Sequence, residues 1–285
     1  MPNAGLRKSV PSISGEPSPY GLLGCAIEVV GAGDVHELNG TDTAPQGCGP
    51  ATLWQDCPEA GNGWTNPVTK PFDRMDSCTF EPFTATKGLV CSMIGTDQDE
   101  MDAAALEALR LGEQFAVEEW FMRRGLSWMA NGNDLTPGAG ALHVVSGIGA
   151  LETWLAENYG GTGTIHVPVG VASLLGKNHQ LDPHRNCPTT WAGNTVVYGG
   201  GYSVNVGPVA QPGAGAEAPA GEAWIYITPP VRIRRSPREL AGGSVPVSPD
   251  VTVNDIYAEA EATFVAEVAC CTAAAVRVTL SACCP

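Results

Sequence analysis

Residues 95–114 read GTDQDEMDAAALEALRLGEQ, and this stretch decides how the chain folds. Thr96 or Asp97 is placed to cap a helix, and Asp97, Asp99, Glu100 and Asp102 set negative charge at its positive dipole end. Met101, Ala105, Ala108, Gly112, Phe115 and Glu119 follow at helical spacing, with Leu109, Ala116 and Trp120 alongside. Arg123 and Arg124 suit the C-terminal end and Gly125 suits a stop. The spacing predicts a helix ending at Arg124, about 29 residues and about 43 Å long. Such a helix exceeds the globular norm and needs partners along its sides. Its small residues Ala105, Ala108 and Gly112 are expected to pack closely on the sheet that holds the last strand.

Upstream, residues 1 to about 20 form a polar, Pro-rich arm without periodicity. Leu22 to Val30 suits a strand, and Thr79 to Cys91 reads as a returning strand. Residues 31–77 between them are dense in Gly, Pro, Asn and Asp, too long for an idle loop. The pair would make a long two-stranded finger, unstable alone. Downstream, Ser146 to Tyr159 carries Ile148, Leu151 and Leu155 on one stripe and ends at Gly160. Strands are predicted at Thr164–Val167, Thr195–Tyr198, Ala223–Thr228 and Val231–Arg235, and a short helix starts at Pro168. Residues 207–221, rich in Gly, Ala and Pro, are expected to be a mobile loop. From Val253 to Leu280 the chain alternates: Ala258, Ala260, Ala262, Phe264, Ala266 and Val268 face one way, Glu259, Glu261, Thr263 and Glu267 the other.

Composition narrows the function. The 285 residues are 44% hydrophobic, enough to bury a core. Thirty acidic against 15 basic residues argue against a sequence-specific nucleic-acid binder, which needs clustered Lys and Arg. Arg232, Arg234, Arg235 and Arg238 form the only basic cluster, and a solvated or acid-paired strand edge is its favoured reading. No apolar signal segment or membrane span is visible, so synthesis in a cytosol is expected. Ten cysteines sit awkwardly with that, and their spacings match no zinc ribbon or finger.

No stretch reads as an active site, and no cofactor is expected. The run VVGAGDVH, Val29 to His36, lacks the third glycine of a dinucleotide loop. His179, Asp182, His184 and Cys187 lie within nine residues, but flanking prolines favour an ordinary polar loop over a metal site. No Cys/His pair sits in a nucleophile context, and Glu259 and Glu261 read as solvated strand residues.

Three segments carry a resemblance: the acidic helix start above; LETWLAENYGGTGTIHVPVGVASLL, residues 151–175; and AWIYITPPVRIRRS with NDIYAEAEATFVAEVACCTAAAVRVTL, residues 223–236 and 254–280. Their order resembles the major capsid proteins of tailed double-stranded DNA phages, the Hong Kong 97-like capsid fold, and most closely its actinobacterial-phage branch. The resemblance implies an α+β fold with an N-terminal arm (1–20), an extended loop (21–91), a spine helix opening the peripheral domain (92–145), a mainly axial domain (146–245) and a returning peripheral strand (246–285). It implies a non-enzymatic subunit that self-assembles into hexamers and pentamers of an icosahedral head, forms in the host cytoplasm and resides in the virion. Portal, scaffold and decoration proteins would be partners, with packaged DNA held without sequence specificity and no membrane involved. Trp54 and Trp64 would be intersubunit contacts. Cys48, Cys57 and Cys78, on the finger, become disulfide candidates in mature particles, with Cys91 and Cys270 expected as buried thiols. Arg232 and Arg234, with Arg7 and Lys8 on the arm, are the candidate DNA contacts. The alternatives are an encapsulin-like nanocompartment shell and, from another class, a cysteine- or metal-dependent enzyme.

Overall fold

The computed structural model describes residues 13–26, 28–44, 48–51, 77–92, 97–182, 187–241 and 255–281. The chain enters through a single helical turn, α1 (Leu22–Cys25), where a strand was expected. The strand β1 (Glu28–Gly31) follows. Next come β2 (Thr41–Thr43), β3 (Cys78–Phe80) and β4 (Pro82–Ser92). The finger is therefore built differently from the sequence reading. Its base is the short antiparallel ribbon of β2 and β3, and β4 runs elsewhere.

The long helix α2 (Gln98–Trp120) is capped by Asp97, whose carboxylate accepts the Glu100 N–H at 2.8 Å. It does not stop at Gly125. A π-helical turn spans Phe121–Leu126 and α3 (Ser127–Met129) continues it. Gly125 is there because the Phe121 ring lies against it; an added Cβ would sit 2.7 Å from that ring. The buried face keeps Met101, Ala105 and Leu109 of the expected stripe and departs from it beyond Leu109. Met101, Ala105, Leu109, Val117, Glu113, Gln114 and Glu118 face inward, whereas Gly112 is exposed and meets nothing within 4 Å. Phe115 is 48% exposed.

The remaining elements are α4 (Val144–Asn158), β5 (Thr164–Pro168), α5 (Ala172–Lys177), β6 (Leu181–Asp182), β7 (Thr189–Thr190), β8 (Thr195–Gly199), β9 (Glu222–Thr228), β10 (Val231–Arg235), β11 (Glu239–Leu240), β12 (Asp255–Val268) and β13 (Ala274–Thr279). They build two sheets. The first has the order β1-β10-β12-β11, with β4 on the far side of β12. There β12 pairs antiparallel with β4 from Asp255↔Ser92 to Val265↔Pro82. This pairing, rather than one with residues 22–30, uses the length of β4. The second sheet has the order β13-β9-β5-β8-β7-β6.

The long terminal alternation is thus split: β12 belongs to the first sheet and β13 to the second. Residues 207–221 are not a free loop. The Gly213 N–H donates to the Arg123 carbonyl and the Val209 N–H to the Ser127 carbonyl, each at 2.9 Å, fastening the segment along the helix end. Two apolar cores result. One lies between α2 and the inward residues of β12; the other lies between α4 and the second sheet.

Candidate functional site

Two short passages of the chain between its sheets lie side by side. Pro229–Pro230 links β9 to β10, residues 269–273 link β12 to β13, and the Ala269 N–H donates to the Pro230 carbonyl at 3.1 Å. Proline suits the first passage because it cannot continue a ladder. In the second, Cys271 takes a left-handed φ of 44°. Cys270 bonds Cys48 and Cys271 bonds Cys78, with Cα–Cα separations of 5.8 and 6.0 Å. One dicysteine therefore holds both ends of the segment 48–78. A third bridge, Cys25–Cys187 at 5.7 Å, ties α1 to the approach to β7.

The cysteine expectations change accordingly. Cys48 and Cys78 are bridged, but each to the junction and not to the finger. Cys270 is no buried thiol, and Cys91 is exposed on β4. Cys57 lies outside the described residues. The ribbon of β2 and β3 delivers Cys78 to a junction 193 positions away, a distance no local spacing can reveal.

Buried acids organise the helix side, and sequence reasoning missed them. Glu118 is fully buried, and its two oxygens accept the Leu22 N–H at 2.9 Å and the Gly201 N–H at 3.0 Å. It fastens α1 and the 3-10 turn Gly201–Val204 to the long helix. The turn comes so close that a Cβ on Gly201 would lie 2.2 Å from the Phe115 carbonyl oxygen. Desolvation pushes the Glu118 pKa up to about 7, against the pull of the backbone N–H donors. Beyond it, His166 hydrogen-bonds Tyr202 Oη and Thr228 Oγ1, both at 2.9 Å. Burial lowers the His166 pKa to about 3, so the ring is neutral.

The arginine cluster is acid-paired. Arg232 meets Glu28 at 2.6 Å; Arg234 meets Glu267 at 2.6 Å and Glu37 at 2.9 Å. Arg235 and Arg238 converge on buried Glu113 at 3.1 and 2.6 Å. The structure brings Arg232 and Arg234 together on one strand face, with carboxylates already opposite them. Glu113 and Glu118 stand five apart on an inward face, and acids at inward positions of a helix were the signal available for them.

Other candidates separate. Trp54, Trp64, Arg7, Lys8 and His184 lie outside the described residues. Cys187 is in a disulfide, while the His179 carbonyl accepts the Trp191 indole N–H at 2.9 Å. Among the described residues no three His, Cys, Asp or Glu side chains are grouped to hold a metal ion, and no helix is long and apolar enough to cross a membrane. Glu259 and Glu261 are exposed. After β1, residues Val35–Asn39 form a 3-10 turn capped by Asp34, not the helix a dinucleotide loop requires.

No family model matches the chain, and neither does any curated protein. Solved structures do match its fold. A structure from Mycobacterium phage Ogopogo aligns over 98% of this chain and 97% of its own, at 11% identity and a TM-score of 0.51. The capsid of an empty GTA particle aligns over 96% and 95%, at 12% identity and a TM-score of 0.50. The cyanophage Pam1 capsid asymmetric unit covers 99% of both chains at 9% identity, with a TM-score of 0.48. The chain therefore has the α+β Hong Kong 97-like capsid fold.

Proposed function

We propose that the chain is the structural subunit of an icosahedral phage head, a major capsid protein enclosing double-stranded DNA. The supporting observation is the end-to-end likeness to the GTA capsid, which extends beyond a shared core to 96% of this chain. The architecture agrees with it physically. The long helix covers one face of the first sheet, the other is covered only at its β10 end by the turn Val35–Asn39, and β4 has no second strand partner among the described residues. A long strand at the margin of a sheet is a template for association. In this reading α2 is the spine, the first sheet is peripheral, the second is axial, and the segment beyond the β2–β3 ribbon is the extended loop. The role is structural, without catalysis or cofactor.

Electron microscopy of the expressed chain tests this: closed shells are expected, and a stable monomer across assembly conditions would overturn it. Trp54 and Trp64 are proposed to bury against a neighbouring subunit, so deletion of residues 40–75 should leave soluble, unassembled chains. Portal, scaffold and decoration proteins are the proposed partners, with assembly in the host cytoplasm and residence in the virion. DNA is held by confinement. Because Arg232 and Arg234 already face Glu28, Glu37 and Glu267, the free subunit should bind duplex weakly at 150 mM salt. A gel-shift titration reads this, and tight binding lost on R232A/R234A would contradict it.

A further inference from the structure

The Cys78–Cys271 disulfide lies at the margin of the core, with Cys78 buried and Cys271 half-buried. It forms part of the wall of a cleft of about 430 Å³ beneath the π-helical turn, shared with Trp120, Trp128, Arg124 and Glu81. That volume is in the range of small-molecule sites and too small for a folded oxidoreductase domain. Aromatic walls and one guanidinium offer contact surface and a counter-charge to a carboxylate-bearing molecule. Arg124 itself is exposed at the rim.

We propose that this cleft is a thiol–disulfide exchange site for a low-molecular-weight, carboxylate-bearing disulfide of the glutathione type. In the closing direction one protein thiolate, Cys78 or Cys271, attacks the small disulfide. A mixed disulfide forms and one small thiolate leaves. The second protein thiolate then attacks the mixed disulfide, forming Cys78–Cys271 and releasing the second small thiolate. Two protein thiols are oxidised, one small disulfide is reduced to two thiols, and the two protein thiol protons pass through solvent to the two released small thiolates. Excess small thiol runs the same steps backward. Because Cys270 holds the other end of the segment 48–78, this exchange sets whether that segment is covalently closed at both ends or at one. The inference does not depend on the shell reading.

The test uses the full chain, reduced and then exposed to oxidised glutathione, with acid quenching, alkylation and peptide mapping over time. Cys78–Cys271 should close faster than Cys25–Cys187. Cys78→Ser should trap a single glutathionyl adduct on Cys271, and Cys271→Ser should trap it on Cys78. Arg124→Glu should slow closure by glutathione about 10-fold while leaving closure by neutral hydroxyethyl disulfide unchanged, a control for folding. Absence of both adducts, equal slowing with the neutral reagent, or faster reduction by thioredoxin than by glutathione would each overturn the proposal. Particle formation is not a readout, so failure of this site and failure of the shell assignment are separable.

Discussion

The two sheets share one chain but solve different problems. Every residue of β5 is buried, and so is all of β9 after Glu222. Ile165, Ile225 and Ile227 face the core under α4, while Tyr226 and Trp224 face the core shared with the long helix. The second sheet is thus covered on both faces, and its strands read as continuous apolar runs. In the first sheet, β12 alternates Ala258, Ala260 and Ala262 inward with Glu259 and Glu261 outward, and β4 is largely exposed. One sheet is complete within the subunit. The other is half-covered, and its open face and edge are what a neighbour would use.

The comparison predicts where truncation hurts most. Leu151 on α4 is fully buried against the second sheet. Leu151→Ala should cost about 3–4 kcal/mol, the lost transfer energy plus an unfilled cavity. Denaturant unfolding measures it; a cost below about 1 kcal/mol would mean that this core is loose and the contrast between the sheets is mistaken.

Much of this contrast is legible in sequence because it is local. Alternation marks β12 and apolar runs mark β5 and β9, and Gly160, with φ of 79°, ends α4 where a stop was expected. What is not legible depends on distant chain. The choice of β12 as partner for β4 spans 163 positions at its outer end, Asp255↔Ser92. The Cys48–Cys270 bridge spans 222. The second half of the helix face differs from the sequence expectation because Gly112 and Phe115 at helical spacing look more buriable than Glu113, Gln114 and Glu118. Only the tertiary donors, Arg235 and Arg238 for Glu113 and two backbone N–H groups for Glu118, make those polar positions tolerable inside.

Glu118 sits where the two halves meet, so its titration sharpens the comparison. Its folded pKa of about 7 lies above the ordinary 4.5. The folded chain therefore holds the proton more tightly than the unfolded chain. The resulting stabilisation is fully present below pH 4.5 and is lost as pH rises through 7, by roughly 3 kcal/mol at most. Glu118→Gln cannot ionise and should be insensitive over that window. Measuring both chains at pH 4.5, 6 and 8 isolates the group; parallel profiles would show that the carboxylate is solvated after all.

Two glycines test the same contrast at smaller scale. A Cβ on Gly147 would lie 2.5 Å from the Val278 methyl, because α4 presses on the complete sheet there. Gly147→Ala should cost about 1–3 kcal/mol by overpacking. Gly112 on the long helix meets nothing. Gly112→Ala should therefore stabilise the subunit by about 0.5–1 kcal/mol through helix propensity alone. Thermal melts of the isolated subunit should move in opposite directions, and a destabilised Gly112→Ala would restore the close packing first expected for that face.

The smallest effect on folding should come with a large effect on assembly. Val90 lies on β4 opposite Tyr257 and is 59% exposed. Its side chain belongs to the uncovered face of the first sheet, so Val90→Asp should change subunit stability by less than about 0.5 kcal/mol. If a neighbouring subunit covers that face, the same change buries an unpaired carboxylate at every copy of the contact, which several-fold repetition around a shell cannot absorb. Subunits with wild-type melting but no particles by electron microscopy are expected. Normal particles would place the neighbour elsewhere, on the β4 edge or along the exposed side of the helix, and the open face of the first sheet would then be a solvent surface of the assembled object.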